Sequence, residues 1–462
     1  ERDLMIWDES LFIADARGVN QTDIESAIGA LKPRFKNKPS TKPVVKYLEK
    51  CVSILDKEAQ AQVTKKKKPK VIEMPELTRD EIEVYQEALG NYREADILKV
   101  FLDISQSEFR VYAGNGNDGG AITYEIKVPK ELNNILVLDA SYDIRTLSKA
   151  NVKHINDSPW AKRYGEYIEA EKARVDYSNV TVHHLEHGFG RATMTDIQSN
   201  QKSECRLVSQ EVAEVVRDLP EDEAVLVFTF KTRPSDRVHF IDTLKRDLQG
   251  RGIDTEAQVQ LKDGTIKPRF AWLTWGQETA RNEYSYCSNI IFAGILHRSF
   301  LDLSASTAGE NEDLTVDINK SDLTDTRNSE IAHCIYQALS RGASRVVNHG
   351  VAGKSDVYLI HKDRKVKDLL DVVLPGSTWV KWEGKFLTKE PTKAEDVAES
   401  VKAFMATYEG QSISVQKVKH ELELEHIQRH TFNRGLTKAL ESIQGWKKDK
   451  QSIVRDRAET YG

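Results

Sequence analysis

Two adjacent carboxylates follow a short apolar run near the start of the chain. The stretch "LMIWDESL" (4–11) leads directly from apolar residues into Asp8 and Glu9. In nucleotide hydrolases, a strand that ends in Asp-Glu positions the Asp to hold Mg²⁺ through water and the Glu to orient or deprotonate the attacking water. An ordinary strand that reaches solvent shows the same pattern, so this stretch alone leaves both interpretations open.

A second group of candidate residues lies in "IYQALSRGASR" (335–345). Gln337, Arg341 and Arg345 recur every four residues, which predicts that they share one face of a helix. Guanidinium groups suit a polyphosphate, because they stabilise charge on transferring phosphoryl oxygens. A solvated face with salt bridges is the alternative. The segment directly precedes an apolar run around Val357.

Strands must hold both groups in place. Several runs are continuously apolar rather than alternating, which indicates strands covered on both faces, as in a parallel sheet. They are "NNILVLDAS" (133–141), "AVLVFTFK" (224–231), "RFAWLTWG" (269–276), "NIIFAGIL" (289–296) and "SDVYLIH" (355–361). Helical segments lie between several of them, so the alternation predicts an α/β domain.

The composition limits the class of protein. The chain has 462 residues, of which 39% are hydrophobic and 30% charged. The length suggests about three domains, and no apolar run approaches the roughly 18 residues of a membrane span. The 4 cysteines are far apart and form no C-x-x-C pair, which favours a reducing, cytoplasmic location and argues against a zinc or iron–sulfur cluster. With a net charge of −5, any basic surface must be local.

The first 130 residues show no catalytic pattern beyond Asp8 and Glu9. Residues 15–60 are predicted to be helical, and another helix is predicted from Thr78, with Glu81 completing a capping box. An alternating stretch with a Gly/Asn/Asp centre (108–129) predicts a β-hairpin. The lysine run at 64–70 is either a solvated linker or a phosphate-contacting loop.

In chain order, these stretches resemble the ATP-dependent helicases of superfamily 2, whose motor consists of two RecA-like domains with ATP between them. "IWDES" (6–10) resembles their Walker B motif, and "VLDAS" (137–141) resembles the strand-end motif that couples ATP to nucleic acid. "VLVFTFK" (225–231) resembles the first strand of the second motor domain. "LTWGQETARNEY" (273–284) resembles the motif that contacts nucleic acid and ATP, and "QALSRGASR" (337–345) the arginine-finger motif.

The resemblance implies an ATP hydrolase that moves along nucleic acid, with ATP and Mg²⁺ as cofactors and DNA favoured over RNA. Four residues would be catalytic, and the first of them would also hold Mg²⁺ through water: Asp8, Glu9, Arg341 and Arg345. Three would contact ATP: Gln337, Gly276 and Asn282. Three would contact nucleic acid: Ser141, Thr274 and Arg281.

The chain departs from the family pattern at its phosphate-binding motifs. Ser340 stands where the arginine motif usually has Gly, and the second Arg comes one residue late, so the finger is either Arg341 or Arg345. No Walker A loop precedes Asp8. "GVAGKS" (350–355) has the wrong spacing and precedes a strand rather than a helix. We therefore expect the phosphate-binding loop in an N-terminal segment that is missing from this chain.

The resemblance also implies a domain layout. Residues 1–150 would be the remnant of the first RecA-like domain, with an α+β insertion at about 15–130. Residues 151–375 would be the second RecA-like domain. Helicases with an arch-like insertion at this point are the nearest analogy, although their iron–sulfur cysteines have no counterpart here. The predicted fold class is α/β, with RecA-like parallel-sheet motor domains, this insertion and a separate C-terminal unit.

Residues 390–462 form that C-terminal unit, which we predict to be winged-helix-like. Three helices are expected, from Lys393 to Tyr408, after Ser412 or Ser414, and after Thr431. A basic hairpin in "GWKKDKQSIVR" (445–455) follows, which completes the order of a winged helix. The candidate phosphate contacts are Arg434, Lys438, Lys447, Lys448 and Lys450. A small helical packing module with a solvated basic end is the alternative.

Three histidines lie in "VHHLEHGFGR" (182–191). No cysteine or carboxylate stands at a spacing that would complete a metal site with them, so an edge strand followed by a polar turn is the prediction.

The leading functional hypothesis is an ATP-dependent DNA helicase or translocase. The motor subunit of a restriction or phage replication system, with the partners such a system has, is one alternative. A non-enzymatic nucleic-acid-binding protein with a decayed motor is the other.

Overall fold

The computed structural model describes the chain at residues 5–8, 11–35, 39–65, 67–114, 119–128, 134–151, 175–188, 190–191, 194, 204–233, 239–277, 282–387, 393–443 and 445–455. The chain forms two compact units, Glu1–Leu387 and Thr388–Gly462. Within the described ranges, no helix is long and apolar enough to cross a membrane. The same ranges contain no group of three or more His, Cys, Asp or Glu residues that could hold a metal ion.

The N-terminal part of the first unit combines a strand pair with an α+β subdomain. Its elements are β1 (Met5–Asp8), β2 (Ala14–Asn20), α1 (Gln21–Phe35), α2 (Lys42–Lys65), α3 (Arg79–Leu89), α4 (Arg93–Ser105), β3 (Arg110–Tyr112), β4 (Gly120–Ile126), β5 (Ile135–Leu138) and α5 (Thr146–Ala150). β1 and β5 form a parallel pair, and the subdomain lies between them in the sequence.

The subdomain is an antiparallel sheet in the order β2-β4-β3, and α1, α2 and α4 share a buried apolar cluster with it. The predicted hairpin is confirmed as the β3–β4 pair. The capping box is confirmed too, because Thr78 Oγ1 accepts from the Glu81 amide at 3.2 Å and Glu81 Oε2 accepts from the Thr78 amide at 2.8 Å.

The helix predicted over 15–60 is wrong at its start, where the chain forms strand β2. β2 pairs with β4 along its whole length, from Ala14 opposite Ile126 to Asn20 opposite Gly120. This pairing partner lies about a hundred residues away in the sequence, so local propensity could not reveal it.

The remainder of the first unit is a parallel sheet with helices. Its elements are β6 (Val180–Leu185), α6 (Glu204–Asp218), β7 (Val225–Thr229), α7 (Phe240–Gln249), β8 (Gln258–Gln260), β9 (Ile266–Pro268), β10 (Phe270–Thr274), β11 (Asn289–Phe292), α8 (Phe300–Glu310), α9 (Lys320–Leu339), β12 (Val347–Asn348), β13 (Val351–Ala352), β14 (Ser355–Ile360), α10 (Arg364–Val373) and β15 (Thr378–Lys381).

Six of these strands form one sheet in the order β10-β7-β11-β14-β6-β15. Every pairing in it is parallel. Four of the five continuously apolar runs became its strands β7, β10, β11 and β14, and every residue of β7 is buried. The α/β class with a parallel sheet is therefore confirmed.

Of two predictions for segments in or next to this sheet, the edge strand at the three histidines is wrong and the strand after "GVAGKS" is confirmed. β6 is not an edge strand, because β15 pairs with its outer side, from Thr378 opposite Thr181 to Lys381 opposite His184. The "GVAGKS" stretch does precede a strand, as predicted. It forms the β12–β13 hairpin, whose turn contains Gly350 with φ +83°, and it then leads into β14.

Helix α8 joins the subdomain to the rest of the unit. It packs closely on β2 and β4 because Gly309 has no side chain, and a Cβ there would lie 2.6 Å from Ala14 Cβ and 3.2 Å from Tyr124 Cβ. Nearby, the buried Arg110 guanidinium donates to the carbonyl oxygens of Leu314 at 2.8 Å and Val316 at 2.6 Å. The subdomain is thus anchored to a part of the chain about two hundred residues away.

The C-terminal unit consists of α11 (Lys393–Thr407), β16 (Ser412–Ser414), α12 (Val415–Glu421), α13 (Arg429–Ser442), β17 (Trp446–Asp449) and β18 (Ser452–Arg455). The helices enclose an apolar cluster that includes Phe432 and Leu436. Ser414 caps α12, because its Oγ accepts from the Lys417 amide at 3.1 Å.

Thr431 does not cap α13. The helix begins at Arg429, and the Phe432 amide already bonds to the Gln428 carbonyl at 3.0 Å. The apolar side chain of Phe432 is buried in the cluster, and this burial favours a helix that starts before Thr431.

Candidate nucleotide and nucleic-acid site

The strand pair β1–β5 brings two distant motifs to one edge. Asp8 lies opposite Leu138 in the parallel register, and Asp139, Ala140 and Ser141 follow directly. Carboxyl ends of neighbouring parallel strands point to the same edge of a sheet. The backbone of Asp8 is therefore beside the start of the "DAS" motif. Glu9 lies outside the described residues.

Ser141 is buried in a polar chain rather than exposed at that edge. Its Oγ donates to Asp139 Oδ1 at 2.6 Å and lies 2.6 Å from His333 Nδ1 on α9. Because the Ser141 hydroxyl donates its proton to the Asp139 carboxylate, His333 Nδ1 must be the donor in its hydrogen bond with Ser141 Oγ. Burial and the nearby Arg145 lower the pKa of His333 to about 4, so its imidazole is neutral at pH 7.

A buried ion pair lies next to this chain. Arg145 Nε donates to Glu330 Oε1 at 2.8 Å and its Nη2 donates to Oε2 at 3.0 Å. The side chains are only 8% and 5% exposed. Burial opposes ionisation of Glu330, but the contacts with Arg145 outweigh it, and its pKa lies below the ordinary range. The segment after β5 is thereby fixed to the middle of α9.

The predicted helical face of the arginine motif is wrong beyond Leu339, where α9 ends. The amides of Arg341 and Gly342 make tight bonds three residues back, at 3.1 Å each, and the Ala343 amide then bonds to the Cys287 carbonyl at 2.9 Å. A Cβ on Gly342 would lie 2.8 Å from Ile290 Cδ1. The chain therefore turns toward β11, and Arg345 sits at the end of a short 3-10 helix.

The two arginines of the motif have different surroundings. Arg341 is 3% exposed, and its Nη2 donates to Gln337 Oε1 at 3.4 Å, so these two side chains stay together despite the turn. Arg345 is exposed. Both lie near the amino ends of β11 and β14.

Thr274 and Gly276 lie at the carboxyl end of β10, which is the other edge of the same parallel sheet. Gln277 Oε1 accepts from both the amide and the hydroxyl of Thr274, at 3.1 Å each. Gly276 is exposed with φ +94°, and Asn282 is exposed. Thr274 and Gly276 are thus at the opposite edge from Gln337 and Arg341. Arg281 lies outside the described residues.

The basic candidates of the C-terminal unit lie on helix α13 and on the hairpin that follows it. Arg434 is exposed on α13, and Lys438 Nζ, one turn further on, lies 3.2 Å from Glu395 Oε1. Lys447 and Lys448 belong to β17, and Lys450 lies in the following turn with φ +51°. Lys448 Nζ reaches Asn433 Oδ1 at 3.5 Å, which brings the hairpin beside the basic side of α13.

Sequence reasoning missed the residues that link the two parts of the first unit. His333, Glu330 and Arg145 are polar residues within otherwise ordinary stretches. A signal was present for one of them, since His333 lies one helical turn before Gln337 on α9. Its contact with Ser141, however, joins residues 192 positions apart.

Known proteins resemble the chain in structure rather than in sequence. No family profile matches it, and no curated protein matches it in sequence. One similar solved structure, titled "XPD_Helicase", has 13% identity and a TM-score of 0.35, and the match covers 83% of this chain and 70% of that chain. Another, titled "XPD_APO", has 14% identity and a TM-score of 0.32, with 80% and 73% covered. At this level of similarity neither structure assigns an activity to the chain.

Proposed function

We propose that this chain belongs to an ATP-dependent nucleic-acid motor of the helicase type that acts on DNA. The observation that carries the proposal is the parallel pairing of β1 with β5. It places the backbone of Asp8 and the "DAS" motif at one edge, although residues 9–138 separate them. In the helicases that these motifs resemble, nucleotide hydrolysis and nucleic-acid coupling are expected at one such edge.

The polar chain from Ser141 to α9 supports a coupling route. Ser141 contacts His333, which shares a helix face with Gln337 one turn later, and Gln337 contacts Arg341. A conformational change at the carboxyl end of β5 would therefore be transmitted to the arginine motif through helix α9.

In this proposal ATP supplies the phosphoryl bond and Mg²⁺ neutralises phosphate charge. Asp8 would hold Mg²⁺ through water and Glu9 would orient the attacking water. Arg345 is the better candidate for the finger because it is exposed. Arg341, which is buried against Gln337, is assigned a positioning role. The donor set of carboxylates and guanidinium groups suits a magnesium-bound triphosphate.

The test is DNA-stimulated ATP hydrolysis by the longest natural form of the protein. Arg345→Ala and Asp8→Ala should each lower turnover on the order of 10³-fold, the magnitude known for arginine fingers. Arg341→Ala should also lower turnover. Lys381→Ala, which removes an exposed side chain at the end of β15, is the control and should have full activity.

If Arg341→Ala and Arg345→Ala both retain near-normal DNA-stimulated hydrolysis, the helicase assignment of this motif is wrong. If the unsubstituted protein binds DNA tightly but does not hydrolyse ATP, a non-enzymatic DNA-binding protein would be favoured instead. A restriction or replication motor would share these results with a helicase proper, and only strand separation would distinguish them.

The C-terminal unit is proposed as a winged-helix-like DNA-binding domain. The order of its helices and strands and the exposed basic residues of α13 and β17 support this role. Such a surface would contact phosphates and contribute little sequence preference.

A further inference from the structure

A cavity of about 280 Å³ opens beyond the carboxyl ends of β6, β11 and β14. Its polar lining includes His297, Arg327, Asn328, His361, Lys362 and Asp363. In parallel α/β sheets, ligands bind in crevices outside the carboxyl ends of the strands. Arg341 and Arg345 lie at the other edge of the sheet, so this cavity is not formed by the arginine motif, and the inference drawn from it does not rest on the motor proposal.

His361 presents an unpaired donor in this cavity. The residue is 5% exposed, and its Nδ1 accepts the backbone N–H of Asp363 at 3.5 Å. Since Nδ1 is an acceptor, the proton of the neutral ring belongs on Nε2. That nitrogen is buried and has no partner among the described groups. A buried donor without an acceptor is costly, and a bound oxygen would remove the cost.

The charges around the cavity favour an anion. Arg327 and Lys362 contribute positive charge, and burial together with these two cations lowers the pKa of His297 to about 4. The carboxylate of Asp363 is engaged elsewhere. Its Oδ2 accepts from Asn328 Nδ2 at 3.0 Å, and its Oδ1 caps α10 by accepting from the Lys365 amide at 3.0 Å.

Arg327 is held in a position from which it can serve a ligand. Its guanidinium lies 4.6 Å from the centre of the Phe300 ring, and its Nε is buried without a partner among the described groups. The amino end of α10, a helix of 10 residues, also begins beside the cavity and adds partial positive charge.

We propose that this cavity binds a phosphoryl group, which accepts hydrogen bonds from the Nε2–H of His361 and from Arg327 and Lys362. A phosphoryl group fits because it carries negative charge and has several oxygens that accept hydrogen bonds from cationic donors. The same chemistry occurs in free or nucleotide phosphate and in the phosphodiester backbone of nucleic acid.

The experiment follows the imidazole signals of the ¹⁵N-labelled full chain while inorganic phosphate or pyrophosphate is added at constant ionic strength. We expect a saturable shift of the His361 Nε2–H signal, which is identified by its loss in His361→Gln. Arg327→Gln should weaken phosphate binding about 10-fold or more, as expected for loss of a charge-assisted hydrogen bond.

Lys362→Gln should also weaken binding, whereas the matched control Lys381→Gln should leave it unchanged. In a second arm, single-stranded oligothymidylate competes with phosphate. Displacement of phosphate supports a phosphodiester occupant, and no displacement supports a free or nucleotide phosphoryl group. An equal response to chloride, or no saturable shift with phosphate, pyrophosphate and oligonucleotide, would overturn the proposal.

Discussion

Two ion pairs, one in each compact unit, have opposite surroundings. In the first unit, Arg145 forms an ion pair with Glu330, and the two side chains are only 8% and 5% exposed. In the C-terminal unit, the comparable pair of Lys438 and Glu395 is 46% and 26% exposed. A buried pair must be satisfied by the protein itself and so fixes one segment against another. An exposed basic surface contributes little to stability and leaves its charges available to a polyanion.

The largest effect should come from breaking the buried pair. Glu330→Gln leaves the Arg145 guanidinium buried without its counter-charge, and we expect the free energy of unfolding to fall by about 3–5 kcal/mol. Urea-induced unfolding of the full chain measures this change. Glu383→Gln, which breaks an ion pair whose partners are 81% and 79% exposed, is the matched control and should cause no measurable loss.

A combined variant sharpens the interpretation. Replacing Arg145 and Glu330 together by Met and Leu should restore much of the lost stability, because an apolar pair of similar volume avoids the cost of burying charge. If Glu330→Gln unfolds at the same urea concentration as the parent, the pair does not fix the β5 segment to α9.

A smaller effect is expected at Glu310, a buried carboxyl without a paired cation. Its Oε1 accepts from the Ile13 amide at 3.1 Å, and burial raises its pKa to about 7. The folded state therefore favours the protonated acid. Its stabilising contribution is complete below about pH 4.3, the ordinary value, and is lost as pH rises through 7.

Glu310→Gln keeps the acceptor and removes the charge. The variant should gain up to about 3 kcal/mol over the parent as pH rises from about 4.3 to 7, from the relation of 1.36 kcal/mol per pKa unit. Urea unfolding at several pH values tests this. Glu125→Gln, at a carboxylate that is 61% exposed on β4, should follow the parent curve, and an identical curve for Glu310→Gln would contradict the prediction.

The smallest effect on stability should come from the basic surface of the C-terminal unit. Changing Lys447, Lys448 and Lys450 together to Ala should leave the unfolding transition unchanged. It should weaken DNA binding by the full chain and reduce the slope of log K against log salt by roughly 2 to 3, at just under one unit per lost contact. Lys402→Ala on α11 should not alter the slope. An unchanged slope for the triple variant would favour a packing module over a DNA-binding domain.

The sequence predicted the elements whose signals are local. Continuous apolar runs identified the strands β7, β10, β11 and β14, and the Thr78–Glu81 spacing identified a cap. β15 was missed because its residues are mostly exposed and its position depends on pairing with β6. The strand β2 was mistaken for helix for a related reason, since its partner β4 is distant in sequence.

The candidate site was harder to predict than the fold. The regular spacing of Gln337, Arg341 and Arg345 suggested one helix face, but Gly342 lets the chain turn against Ile290 and Cys287. That turn depends on packing with β11, which local spacing cannot reveal. The contacts of Ser141 with His333 and of Arg145 with Glu330 likewise join residues nearly two hundred positions apart.

The pairing of β1 with β5 has a consequence for folding kinetics. It closes a loop of residues 9–134, and closing an unstructured loop costs more entropy as the loop lengthens. The subdomain has its own apolar core, and its first and last strands, β2 and β4, are paired near its two ends. Once it has folded, the ends of the loop are already close. We therefore expect β1 and β5 to pair after the subdomain has folded, although the subdomain contains none of the candidate catalytic residues.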